Sequence, residues 1–453
     1  MKRQAVILIH GIGEQRPIET LRGFVEAIIR QMRKKKLDPK EQIYFWEQPE
    51  PASGNYETRK MTIFERNANS YLDCYELYWA HHIRETKWEQ IKDWFFGIMW
   101  RRDVPERLLC VWRLAWGLLG LLLILFLTPL FVLVITGLNC CSLLIASGIG
   151  VGIIFLLAVI KVPYYLLDYL GDAGRYLDPV PGNIAGRQAV REEGMKLLKN
   201  LHESGKYERI VVVGHSLGSV IGYDLVRLLW NEYCKTFDEQ KFKYGWIHQT
   251  LHTDDIKCSE EAGKRLDGTE GSLTAFQNAQ ETSYGYLKAI GNKWLVTDLV
   301  TIGSPLAHAG YLFAQKNGLF RKLKMQREYP KCPPFIQKIV RTNIRPSGKI
   351  YVDNFSEPIT ASLFNHSSPF AVTKWTNIYY ESDFIGGPLA DKFGKGIRDI
   401  KEQATKWFCH TTYWDVKHGR NILPLLCEIF SGGMKSKHDE ETVGNDAKES
   451  KSV

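Results

Sequence analysis

The stretch Val211-Val212-Val213-Gly214-His215-Ser216-Leu217-Gly218-Ser219 decides how the rest of the chain is read. Residues Arg209 to Val213 form an apolar, β-branched run of the kind found in strands covered on both faces. A helical pattern follows through Leu229. Between them stands Gly-x-Ser-x-Gly. A serine at the apex of a sharp strand-to-helix turn takes up strained backbone angles, and glycines two residues to either side let strand and helix pass closely. Such a turn exposes the hydroxyl and aims a helix N-terminus at developing negative charge. In a chain with 38 glycines the pentapeptide alone would carry little weight. The strand before it and the helix after it give it meaning.

Working outward, Ala5 to Ile9 reads as a second buried strand, broken by His10-Gly11-Ile12-Gly13 and followed by an amphipathic helix from Ile18 to Arg33. Further strands are expected at Tyr75 to Trp79, Leu295 to Ile302 and Trp375 to Tyr380, with a helix from about Arg187 to His202. Strands alternating with helices indicate an α/β fold with a largely parallel sheet. The polar stretch 231–292, punctuated by Gly263, Gly268 and Gly271, is an insertion of the length that lids and functional loops have. The tail 431–453 is hydrophilic and is expected to be disordered.

These features resemble the α/β-hydrolase superfamily, its lipase and esterase branches most closely. Gly-His-Ser-Leu-Gly is similar to the nucleophile turn of those enzymes, Ile9-His10-Gly11-Ile12-Gly13 to their oxyanion loop, and Gly303-Ser304-Pro305 to a frequent lipase feature. The resemblance covers about residues 1 to 80 and 180 to 425. It implies Ser216 as nucleophile and the amides of Ile12 and Leu217 as the oxyanion hole. It also implies the chain order serine, acid, histidine. His410 lies in the aromatic context Cys409-His410-Thr411-Thr412-Tyr413-Trp414 and is favoured over His418, which reads as a surface turn, and over His438 in the tail. Asp383 follows the strand Trp375 to Tyr380 and precedes Gly386-Gly387-Pro388. Asp353, after Lys349 to Val352, is its rival, while Asp298 lies too early in its strand. His366 reads as structural, and His10 as a prop for its loop.

The 453 residues are 45% apolar and 24% charged, with a net charge of +9, which excludes disordered, collagenous and disulfide-scaffold chains. The average hides an uneven distribution. From Leu114 to Ile160, 47 residues pass without Asp, Glu, Lys or Arg. As one helix they would reach roughly 70 Å, about twice the hydrocarbon thickness of a bilayer. Thr136 to Ser142 is polar and turn-forming, so a transmembrane helical hairpin is expected, Leu114 to Ile135 out and Leu143 to Ile160 back. Arg101, Arg102, Arg107 and Arg113 precede the run, Lys161 and Arg175 follow it, and the intervening loop has no cation, which puts both ends and both termini in the cytoplasm. Gly148 and Gly152 form a small-xxx-small face through which hairpins could pair into a homo-oligomer.

The expected organisation is therefore an N-terminal part of the catalytic domain at 1–107, a membrane hairpin at 108–162, and the rest of the catalytic domain at 163–430. The partners it suggests are a lipid bilayer and a lipid or acyl-ester substrate. Basic clusters such as Arg33 to Lys36 lack the aromatic interleaving and motifs of nucleic-acid binding, so no nucleic acid is expected. Nine cysteines without Cys-x-x-Cys pairs point to free thiols in a reduced compartment, with no metal and no cofactor. No signal-peptide h-region is apparent, since Ala5 to Ile9 is too short. Two functions are open: a membrane-anchored serine hydrolase of carboxylic esters, or a catalytically inactive scaffold on the same fold. Ester, thioester and amide would all suit the same triad.

Overall fold

The computed structural model describes residues 2–12, 16–34, 43–66, 68–83, 87–136, 171–234, 261–268, 271–289, 291–313, 318–335, 337–340, 343–344, 350–351, 360–404, 409–415, 417, 419 and 421–431. Strand β1 (Lys2–Ile9) shows how the sequence builds its two cores. Ala5, Ile7 and Ile9 point into one apolar cluster, Val6 and Leu8 into the other, and all five are buried. This alternation on a strand without polar positions requires cover on both faces.

Eight strands share the sheet: β1, β2 (Ile43–Pro49), β3 (Arg59–Glu65), β4 (Ser70–Leu77), β5 (Arg209–His215), β6 (Val296–Ile302), β7 (Lys374–Tyr380) and β8 (Arg398–Glu402). Their spatial order is β8-β7-β6-β5-β1-β4-β3-β2. The run from β8 through β4 is parallel, and β2 and β3 extend it as an antiparallel hairpin. The fold is α/β, as expected. The strands expected at Ala5, Tyr75, Arg209, Leu295 and Trp375 all belong to the parallel part.

Helix α1 (Glu19–Lys34) covers one face, burying Leu21, Phe24, Val25, Ile28 and Ile29 along one stripe. Its partner on that face is a helix near the C-terminus, Ile422–Ser431. Helices α2 (Trp88–Met99) and α3 (Glu106–Thr136) follow β4. The opposite face is covered by α4 (Pro181–Glu203), α5 (Leu217–Tyr233) and α6 (Leu273–Ala289). The chain's last described helix, α7 (Ile422–Ser431), buries Ile422, Leu423, Leu426 and Phe430 beside α1.

Part of the 231–292 insertion is thus core. α6 buries Phe276, Gln280 and Tyr284, and Gln280 Nε2 donates to Phe370 O and Thr373 O at 2.7 and 3.0 Å. Residues 235–260 lie outside the described residues, as does the tail 432–453.

No transmembrane hairpin is found among the described residues. The first arm of the expected hairpin falls within α3, which continues through Pro129 to Thr136. The turn and the return arm, with Gly148 and Gly152, lie in 137–170, outside the described residues. The side chains described on α3 are those of Glu106 to Leu121, Leu123, Ile124 and Leu127. Among the described residues no helix is long and apolar enough to cross a membrane.

Candidate active site

Ser216 sits between β5 and α5 with φ 51° and ψ −128°, a conformation costing an L-residue about 1–3 kcal/mol. The surroundings enforce it. Ser216 N donates to Ile302 O on β6 at 2.9 Å, and Ser219 N donates to Ser216 O at 3.0 Å. The flanking glycines are sterically required. A Cβ on Gly214 would lie 2.5 Å from Gly218 O, and one on Gly218 would lie 2.1 Å from Ile9 O. The strand-glycine-serine-glycine-helix pattern therefore becomes a turn packed against the end of β1.

His410 and Asp383 come to this serine from two separate loops at the carboxyl ends of the parallel strands. His410 Nε2 is 2.8 Å from Ser216 Oγ. Its Nδ1–H donates to Asp383 Oδ2, also at 2.8 Å. The Tyr413 hydroxyl donates to the same oxygen at 2.7 Å, and Ile385 N donates to Oδ1 at 2.9 Å. Burial alone would push the Asp383 carboxyl up, but the hydrogen bond and charge of His410, then Tyr413 and Ile385, outweigh it and hold the carboxyl at about 2. Burial and the nearby Asp383 charge push the Tyr413 hydroxyl up, so Tyr413 remains a donor. An ionised Asp383 fixes the tautomer that leaves His410 Nε2 as acceptor for the serine proton. Relative exposures of 4% for Ser216, 7% for His410 and 2% for Asp383 make this a recessed, largely dry arrangement.

Gly303, in Gly303-Ser304-Pro305, makes room for the pair. It has φ +55°, and a Cβ there would lie 3.1 Å from Asp383 Oδ2 and 3.2 Å from His410 Cε1. Ser304 supports the elbow from beneath, accepting from Ser219 Oγ at 2.6 Å.

On the other side of Ser216, Leu217 opens α5 and Ile12 follows Gly11 beyond β1. Gly11 approaches so closely that a Cβ on it would meet Ser216 Cβ at 2.8 Å. Gly13 to Gln15 lie outside the described residues. His10 stacks on Trp79 with ring centroids 5.1 Å apart, and its Nδ1–H donates to Gly11 O at 2.8 Å. Trp79 Nε1 donates back to His10 O at 3.0 Å. Burial holds His10 down to about 4, so it is a neutral strut for its loop. His215 is another: its Nε2–H donates to His410 O at 2.8 Å, and burial, then His410, hold it down to about 3.

Among the described residues Ile350–Tyr351 pairs with Asn343–Ile344 in a separate two-stranded sheet. Asp353, His418 and His438 lie outside the described residues. Asp298 is buried within β6 and pairs with Arg209 at 3.8 Å. His366 is on an exposed turn.

Several supporting residues were missed by sequence reasoning. Tyr413 was read only as aromatic context, Ser304 only as part of Gly303-Ser304-Pro305, and the hydrogen bond of Ser219 to Ser304 carried no local signal. His81, His82 and Glu193 form a separate cluster of metal-ligating types, with His82 Nε2 2.6 Å from Glu193 Oε2. Free thiols among the described residues are Cys74, Cys110, Cys234, Cys332, Cys409 and Cys427.

The arrangement can deprotonate a serine, hold the resulting imidazolium beside a carboxylate, and present the N-terminus of α5 to an oxyanion. The chain matches no protein-family model, no curated protein and no solved structure.

Proposed function

We propose that this protein is a serine hydrolase of carboxylic esters built on an α/β-hydrolase fold and attached to a membrane by a helical hairpin beginning in α3. The observation that carries the reading is the continuous chain of 2.8 Å contacts from Ser216 Oγ through His410 to Asp383, at a serine held with positive φ. Ser216 attacks an acyl carbonyl while His410 Nε2 takes its proton. The oxyanion of the tetrahedral intermediate meets the amides of Leu217 and Ile12. Collapse expels the alcohol, which receives the proton from His410. Water, deprotonated by the same nitrogen, then releases the carboxylic acid and restores the serine.

Lipids or acylated amphiphiles are the substrate class that suits a site next to an apolar helix. Exposed Leu114, Leu118, Leu121, Leu123 and Ile124 on α3 support the membrane attachment, as do the flanking arginines. In this reading the catalytic domain and both termini face the cytoplasm.

The test is hydrolysis of a series of acyl esters of increasing chain length by the full chain in lipid–detergent micelles. Wild type is expected to turn over esters with a preference for longer acyl chains, and Ser216→Ala to lose at least about 10⁴-fold in kcat. Turnover that survives in Ser216→Ala would reject the assignment.

A further inference from the structure

We propose that Arg107 is a positioning residue for the catalytic acid, linking α3 to the triad; this rests on the serine-hydrolase reading above. Arg107 lies in the first turn of α3, seven residues before the apolar run starts at Leu114. Its Nη1 donates to three carbonyls of the loop that carries the acid: Asp383 O at 3.0 Å, Gly386 O at 3.1 Å and Glu381 O at 3.3 Å. The guanidinium also lies over the Tyr379 ring, 5.2 Å from its centroid, and its stem packs where a Cβ on Gly387 would be, 3.3 Å from Cδ.

A single cation gathering three carbonyls from a six-residue loop fixes the curvature of that loop. The curvature determines where the Asp383 carboxylate meets His410 Nδ1. A charged donor to neutral carbonyls in a partly buried place is a strong interaction; all three bonds leave Nη1, so a lysine ammonium can meet some of these carbonyls but loses the planar guanidinium over the Tyr379 ring.

Two other contacts hold the same loop but do not replace this one. His308 Nε2–H donates to Phe384 O at 2.9 Å, and Asn377 Nδ2 donates to Gly387 O at 2.9 Å. Both reach the loop from within the sheet region, from the chain after β6 and from β7. Arg107 alone among these three comes from α3. The neighbouring segment is bolted down in the same way: Arg101 Nη1 donates to Tyr311 O at 3.0 Å, Trp94 Nε1 to Leu312 O at 3.2 Å, and the Tyr311 hydroxyl to Ile98 O at 2.7 Å. Trp112 and Trp116 both donate from Nε1 to Met99 O, joining α3 to α2. α2 and the base of α3 are thus fixed to the segment after β6, and Arg107 adds the contact to the loop that holds the acid. Displacing α3 displaces the Asp383 loop through Arg107.

A double-mutant cycle on the full chain tests this. Arg107→Gln and Arg107→Lys are placed in the wild-type and Asp383→Asn backgrounds. The readouts are kcat and KM for a chromogenic ester and the rate of Ser216 labelling by a fluorophosphonate. In the wild-type background Arg107→Gln is expected to lower kcat on the order of 10- to 100-fold with KM changed less than about threefold, and Arg107→Lys to recover part of the loss. In the Asp383→Asn background the same substitutions should change the rate less than about threefold, because the residue acts through that carboxylate. Equal factors in both backgrounds, or wild-type kcat in Arg107→Gln, would overturn the proposal. If Arg107→Gln does not fold, the Arg107→Lys cycle makes the same comparison. A wild-type protein without Ser216-dependent labelling would instead overturn the hydrolase reading beneath it.

Discussion

Tyr413 and Glu76 show how single buried groups set the behaviour of the site. The Tyr413 hydroxyl is one of three donors to the Asp383 carboxylate, and it also accepts from Tyr380 N at 3.1 Å. Tyr413→Phe removes a hydrogen bond to a buried charge and leaves a backbone amide without its acceptor. It should lower stability by about 1.5–3 kcal/mol in urea unfolding and reduce kcat, with Ser216 still reactive toward a fluorophosphonate. Glu76, on β4, is buried and accepts from Ile18 N at 2.6 Å, holding the start of α1 after the His10-Gly11-Ile12 loop. Burial pushes its carboxyl up from 4.5 to about 7. The folded protein therefore keeps a proton that the unfolded chain releases near pH 4.5. The sign follows: this contribution weakens the fold as pH rises from about 4.5 to 7. Thermal unfolding across that window should show wild type losing Tm relative to Glu76→Gln as pH rises. Parallel curves for the two proteins would contradict it.

At the scale of elements, the close approach of β1, β5 and α5 depends on glycine. Gly218→Ala would drive a Cβ to 2.1 Å from Ile9 O and should cost about 3 kcal/mol or more. Gly23, on the exposed side of α1, meets nothing within 4 Å. Gly23→Ala should stabilise the protein by up to about 1 kcal/mol. Urea unfolding of the two variants checks both signs. The same contrast explains which elements were readable in the sequence. β1 and β5 are covered on both faces and carry apolar runs that stand out, and β6 and β7 are buried nearly throughout although Thr297, Asp298, Thr376 and Asn377 interrupt their apolar residues. β2 has only Ile43 buried and exposes Tyr44, Phe45 and Trp46, so neither a buried run nor an alternating pattern marks it. β8 is a charged edge strand, Arg398–Glu402, with the same difficulty. Ser216 was legible because strand, turn and helix are contiguous in sequence. Asp383 and His410 rested on chain order and on the loops around them. Gly303 lay in a recognisable Gly303-Ser304-Pro305 pattern, whereas the contacts of Tyr413 and Arg107 arise only when distant loops meet, and no local pattern encodes them.

The whole molecule joins an α/β body to an apolar helix whose base packs against the loops of the candidate site. Net charge and mean composition conceal this division, because one 47-residue uncharged run is averaged with a charged remainder. Membrane attachment predicts that the full chain floats with phospholipid vesicles in a density gradient, and that a chain lacking 114–160 stays at the bottom. Flotation of the shortened chain would mean that another surface binds lipid. The catalytic claim is more central, and it has a direct chemical test. The folded full chain is treated with a fluorophosphonate, and the adduct is located by peptide mass spectrometry. Stoichiometric modification of Ser216 is expected, slowed by at least about 10²-fold in His410→Ala and absent in Ser216→Ala. An unmodified Ser216 in folded protein, or an adduct that maps to another residue, would contradict it.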